Sequence, residues 1–346
     1  MVISNSKSSN KIELSLTTGE AIFAYWISRM LYVVAKLGIA DLLKDGSQHC
    51  DALASATNTH SDSLYRVLRA LAGFGIFAET QPRCFELTPQ ADSLQSDVPD
   101  SVRNNAILRG EEYYYRPWEN LMYSVQTGES AFEHLYGVDL FEYYEQNAVA
   151  GEMFHKTTKS RSLEAFNPYL EAYDFSSIGK LVDIGGGTGS LLTAILEANP
   201  TMTGVLFDLP KSIDRVKNSG EPASVHNRCQ LIGGSFFEGV PEGGDAYFLR
   251  EVLHLWDDER AINILKRCHQ AMKEQGRLLV LENIMPFGNE YSSAKIEDVH
   301  MLVVCSGGRE RTETEFKDLF ESAGFKLTKI IPVKNTRFSL FEGVKS

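Results

Sequence analysis

A short apolar run, Leu181-Val182-Asp183-Ile184, opens onto Gly185-Gly186-Gly187-Thr188-Gly189-Ser190, and an apolar-periodic segment follows from Leu191 to Glu197. That succession reads as a strand, a tight turn and the N-terminus of a helix. Glycine has no Cβ and accepts positive φ, so a ligand can lie against bare backbone at such a turn. From Ile178 onward the pattern keeps alternating. Strands are expected at Lys180–Ile184, Gly204–Asp208, Cys229–Gly233, Asp245–Arg250, Gly276–Asn283, Phe325–Pro332 and Phe338–Gly343. Helices are expected at Ser190–Ala198, Asp257–Met272 and Thr314–Ala323. This predicts a doubly wound α/β domain with a mostly parallel sheet.

Three ligands compete for the glycine turn. A phosphate-binding loop requires Gly-Lys-Ser/Thr, but Gly189 is followed by Ser190 and Leu191. A dinucleotide fingerprint requires a glycine where Ser190 stands. The third ligand is S-adenosylmethionine, a nucleoside with a sulfonium and no phosphate. It calls for an acid before the glycines, Asp183, and another at the next strand end for the ribose hydroxyls, Asp208. Asp183 could instead cap the following helix, a common role for aspartate.

A second strand, Ala246–Arg250, runs into Glu251-Val252-Leu253-His254-Leu255-Trp256-Asp257-Asp258. In an open α/β sheet, ligands bind beyond the carboxyl ends of the strands. His254 therefore stands where it can meet one, and an imidazole suits proton removal near neutral pH. A structural histidine fits the same position. No HxH or HExxH spacing occurs, so no metal site is expected.

The first ~100 residues read as helices followed by a hairpin, a winged-helix pattern. Ala21–Ala35 carries Ile22, Phe23, Trp26, Met30, Val33 and Val34, a wide apolar face suited to burial against another subunit. Ser61-Asp62 is expected to cap the helix that carries Leu64, Val67, Leu68 and Leu71. Strands are expected at Ile76–Glu79 and Cys84–Leu87. The would-be recognition helix has only Arg66 and Arg69, and the chain carries 34 basic against 46 acidic residues. That balance disfavours nucleic acid and anionic membranes as partners. The five cysteines are scattered, as expected of reduced thiols in a cytoplasmic protein. Charges interrupt Ala21–Leu43, the longest apolar stretch, and the polar start lacks a signal peptide's apolar core. Residues from about 100 to 175 read as helical, with aromatics such as Tyr113, Trp118, Phe132, Tyr143 and Tyr144 that suit core packing or the wall of a pocket for a flat substrate.

Five motifs occur in order: Asp183-x-Gly-Gly-Gly-Thr-Gly, Phe207-Asp208-Leu209-Pro210, Leu253-His254-x-Trp256-x-Asp258-Glu259, Leu281-Glu282-Asn283-Ile284-Met285-Pro286 and Gly307-Gly308-Arg309-Glu310-Arg311-Thr312. Together they make the chain resemble the S-adenosylmethionine-dependent small-molecule O-methyltransferases of the caffeic acid and hydroxyindole type, which include bacterial natural-product tailoring enzymes. The resemblance implies a winged-helix dimerisation domain over 1–105, a helical linker and substrate-pocket region over 106–175, and a Rossmann-like catalytic domain over 176–346. It implies a homodimer and an aromatic or polyketide-like acceptor. It matches His254 to the general base, and Glu282 and Glu310 to two acids that orient it. Gly185 and Gly187 match the loop against the cofactor, Asp208 the ribose acid, and Arg250 a position where many relatives carry lysine. Ser235-Phe236 stands where relatives carry an acid and an apolar residue on the adenine side. Leu255 replaces an acid common after the histidine. N-methylation, a diverted decarboxylase or hydroxylase, and a non-catalytic winged-helix binder are the alternatives.

Overall fold

The computed structural model describes residues 17–99, 101–159, 163–219 and 227–346. The chain divides into two compact units, Met1–Arg116 and Pro117–Ser346.

In the first unit, helices Thr18–Leu37, Ile39–Leu42, Cys50–Thr57 and Ser61–Gly73 accompany a small antiparallel sheet. Its strands are β1 (Gln48–His49), β2 (Phe77–Gln81) and β3 (Cys84–Leu87), in the order β1-β3-β2. This is the expected winged-helix pattern, with β1 as an addition too short to carry a periodicity. The first helix starts at a reciprocal Thr17–Glu20 capping box and stops at Gly38, whose φ of 68° ends it. Val34 and Ala35 are buried in the unit, whereas Ile22, Phe23, Tyr25 and Trp26 are exposed. The expected cap at Ser61-Asp62 is corrected. His60 is the N-cap, its ring nitrogen accepting from the Ser63 amide, and the Ser61 hydroxyl turns to Asp51 and Arg83 instead.

The second unit is built on seven strands: β4 (Lys180–Ile184), β5 (Thr203–Asp208), β6 (Cys229–Gly233), β7 (Ala246–Arg250), β8 (Arg277–Asn283), β9 (Phe325–Pro332) and β10 (Phe338–Lys345). Their order is β6-β5-β4-β7-β8-β10-β9, and β10 alone runs antiparallel to its neighbours. Val182, Ile184, Tyr247, Leu249 and Val280 face one hydrophobic layer, and Leu181, Phe248, Leu279 and Leu281 face the other. Burial on both faces explains the near-continuous apolar strands. The chain leaves β4 toward β5 and β6, then returns to its other side with β7 and β8. The C-terminal edge of β4 and β7 is therefore the switch point, where such sheets bind ligands. Helices Pro210–Ser219 and Ser293–Val304 add to those expected. Helix Ser190–Ala198 begins at Gly189, which makes no side-chain cap, so Asp183 is not a helix cap.

Candidate active site

Asp183 and Asp208 end neighbouring strands beside the glycine turn. Asp183 is buried under it. A Cβ on Gly186 would stand 2.4 Å from the Asp183 carboxylate, so only glycine fits above that acid. Burial, with a smaller push from Asp208 and an opposing pull from Arg250, raises the Asp183 carboxyl to about 7. Asp208 accepts from the Gly187 amide at 2.8 Å and from the Leu209 amide at 2.7 Å. Burial raises its pKa, against those two hydrogen bonds. Gly187 has a φ of 58°, and nothing lies within 4 Å of where its Cβ would be. The loop thus offers bare backbone to open space. The Ser212 side chain also hydrogen-bonds to the Asp208 carboxylate, which keeps one further lone pair for a hydroxyl donor. A phosphate-free nucleoside fits this donor set.

Around that edge the other expected residues divide. Gly185 also takes positive φ, and a Cβ there would meet the Val252 side chain at 2.9 Å. The Phe236 ring packs edge-on against Phe237 and Trp256. The Ser235 hydroxyl accepts from the Phe237 amide at 3.3 Å, closing its own turn. Arg250 pairs with Glu251 at 3.4 Å and lies over the Phe166 ring.

The structure brings His254, Glu282 and Glu310 together, all buried. His254 Nδ1 lies 2.9 Å from Glu310 Oε1 and 4.0 Å from Glu282 Oε2. In the neutral ring, a carboxylate at that distance keeps the proton on Nδ1, which donates to Glu310 and leaves Nε2 as the acceptor. The two acids do different work. Glu282 Oε1 accepts from the backbone amides of Val252, Leu253 and His254 at 3.0, 2.8 and 3.4 Å. It holds the turn, and Glu310 holds the ring. Burial alone would lower the His254 pKa; the charges of Glu282, Glu310 and Glu251 and the bond to Glu310 outweigh it and push the ring up to about 9. Glu282 is pushed up to about 7, by burial first. One ligand atom from each of the three falls within 4.8 Å of the others, room for a shared proton or a small cation. Linear spacing cannot register such a cluster, because its members lie 28 and 56 positions from the histidine.

Arg311 is the residue whose part could not be read from the motif. Wholly buried, it donates to the Leu253 carbonyl at 2.8 Å, the Trp256 carbonyl at 2.7 Å and Asp258 at 2.9 Å. The Arg309 amide donates to the His254 carbonyl at 2.8 Å. The backbone amides and carbonyls of the histidine turn are thereby paired from two sides. Asn283, beside Glu282 but on the other face of β8, is buried with its Oδ1 unpartnered.

Residues 118–326 match the model of an O-methyltransferase domain, and residues 20–97 that of an O-methyltransferase dimerisation domain. The chain is 42% identical to phenazine O-methyltransferase PhzM of Lysobacter antibioticus, over 93% of this chain and 94% of that protein. It is 31% identical to a phenazine-1-carboxylate N-methyltransferase of Pseudomonas aeruginosa, over 92% of each. The fold matches an O-methyltransferase from neocarzinostatin biosynthesis, solved with S-adenosylmethionine and 2-hydroxy-5-methyl naphthoic acid. The TM-score is 0.83 at 28% identity, over 96% of this chain and all of that one.

Proposed function

The chain belongs to the S-adenosylmethionine-dependent O-methyltransferase family of bacterial natural-product enzymes, and we propose that it methylates a hydroxyl of a small, flat aromatic acceptor with His254 as general base. The observation that carries this reading is the 2.9 Å contact between His254 Nδ1 and Glu310, which leaves Nε2 to take the hydroxyl proton. When bound, S-adenosylmethionine supplies an electrophilic methyl group and a positive charge. Asp208 would hold the ribose hydroxyls, Gly185 and Gly187 would lie against the donor, Asp183 supports the loop from below, and Ser235, Phe236 and Arg250 would line the remaining side. Glu282 and Glu310 fix the turn and ring so that the proton leaves along one direction. Proton removal of this kind contributes about 10²–10⁴-fold. In the second unit, the partly exposed Trp118, Tyr123, Tyr136, Tyr143 and Phe154 supply flat apolar surface for the acceptor, backed by the buried Phe132.

The first unit serves a homodimer. Its opening helix exposes Ile22, Phe23, Tyr25 and Trp26, and the dimerisation-domain match covers that helix from residue 20. Because a Pseudomonas relative is named as an N-methyltransferase, nitrogen is the second reading. A ring nitrogen with a free lone pair needs no base, so the two readings separate at His254.

The experiment incubates the protein with methyl-labelled S-adenosylmethionine and a panel of hydroxyphenazines, hydroxynaphthoates and aminophenols, and locates the label by NMR. Label on oxygen supports the proposal. Label on nitrogen alone, unaffected by His254→Ala, overturns it.

A further inference from the structure

The turn that carries His254 contains a backbone anomaly. Glu251 has a φ of 53°, and it lies between the end of β7 and the three amides gathered on Glu282. A left-handed conformation strains a residue with a Cβ, and it persists where the surroundings over-determine it. At Glu251 they do so through its carboxylate. Oε1 accepts from Arg337 Nη2 at 2.6 Å, and Oε2 faces Arg250 Nε at 3.4 Å.

Arg337 reaches a second acid. Its Nη1 donates to Glu297 at 2.9 Å, on helix Ser293–Val304. The next residue, Asp298, accepts from the Glu310 amide at 2.9 Å, and Glu310 holds His254 Nδ1. The contacts therefore close on themselves, from His254 through Glu310, the Asp298–Glu297 step and Arg337 to Glu251, and back along the chain to His254. One guanidinium joins both arcs, and its planar fork can serve two carboxylates at once, which an ammonium does less well.

We propose that Arg337 is a positioning residue for His254, clamping the strained Glu251 turn to the helix that supports Glu310; its effect on turnover rests on His254 being the base. The charged groups facing the ring are Glu282, Glu310 and Glu251. Arg337 offsets the last of these. Without it, only Arg250 at 3.4 Å offsets Glu251, whose charge acts more strongly on the ring, and the imidazolium gains stability.

The test is an NMR titration of the His254 ring in the full-length protein labelled with ¹⁵N-histidine, beside turnover and calorimetric S-adenosylmethionine affinity. In Arg337→Met the midpoint rises by about half a pH unit or more, a size set by one nearby charge. Turnover at neutral pH falls about 10-fold, since a base held in its charged form and loosely aimed loses most of its effect. Donor affinity stays within about twofold, because Arg337 contacts no residue of the glycine loop. Arg337→Lys restores the midpoint but not turnover. Glu251→Gln, which keeps a neutral side chain of the same shape, lowers the midpoint and supplies the answer should Arg337→Met not fold. A wild-type midpoint in both Arg337→Met and Glu251→Gln overturns the proposal. A shifted midpoint with unchanged turnover upholds the clamp and refutes His254 as base.

Discussion

Glu282 Oε1 lies 2.8 Å from the Leu253 amide nitrogen, and the same oxygen gathers the amides on either side. A single buried carboxylate thus shapes the turn on which the proposed base stands. Glu282→Ala strips those donors of their acceptor, and unpaired buried amides cost about 1–3 kcal/mol apiece. Thermal unfolding should shift by several degrees. Glu282→Gln, which retains an acceptor oxygen, should lose much less. Equal losses in the two variants would contradict the assignment of Glu282 to the backbone.

Arg311→Met should separate turn geometry from donor binding. It removes the donor to the Trp256 carbonyl and leaves the Leu253 carbonyl with the Trp256 amide alone, a loss of roughly 1–3 kcal/mol. Turnover should fall while calorimetric affinity for S-adenosylmethionine stays near wild type. Wild-type turnover would show that the turn keeps its shape unaided.

Asp183 makes stability depend on pH. Its folded pKa of about 7 lies above the unfolded value near 3.8, so the folded state binds the proton more tightly. The stability tied to that proton is present below about pH 3.8 and is lost as pH rises toward 7. Asp183→Asn cannot ionise. Its melting temperature relative to wild type should climb between pH 4 and 7 and level off above. A difference independent of pH would refute the buried, raised carboxyl.

Gly186→Ala tests the packing beneath the loop. The added methyl would stand 2.4 Å from both the Asp183 carboxylate and the Leu206 side chain. Overpacking of this kind costs about 1–3 kcal/mol. Weaker donor binding and a lower melting temperature should appear together, and an unchanged calorimetric affinity would argue against a loop built around Asp183.

The sequence was legible where residues carry their own structural signal. Ser190–Ala198 has its glycine turn and apolar face, and Cys229–Gly233 and Phe325–Pro332 have bounded apolar runs; all three stand where expected. Helix Pro210–Ser219 buries only Ile213 and Val216, too few to set a period. Helix Ser293–Val304 ends in Met301-Leu302-Val303-Val304, a run that favours a strand until tertiary packing decides. The site was legible as residue types: an acid after the apolar strand, a histidine at a strand end, acids in later motifs. How the acids divide their work was not. That Glu282 takes amides and Glu310 the ring depends on contacts across 28 and 56 residues. Arg311 and Arg337 act on carbonyls and carboxylates equally remote in the chain.

The central claim is that His254, held through Nδ1 by Glu310, accepts the acceptor's proton at Nε2. Single-turnover methyl transfer by His254→Ala, measured beside its calorimetric affinity for S-adenosylmethionine, tests it most directly. The rate should be lower by about 10²–10⁴-fold, with affinity within a few-fold of wild type. Methyl transfer to a hydroxyl at the wild-type rate would contradict it.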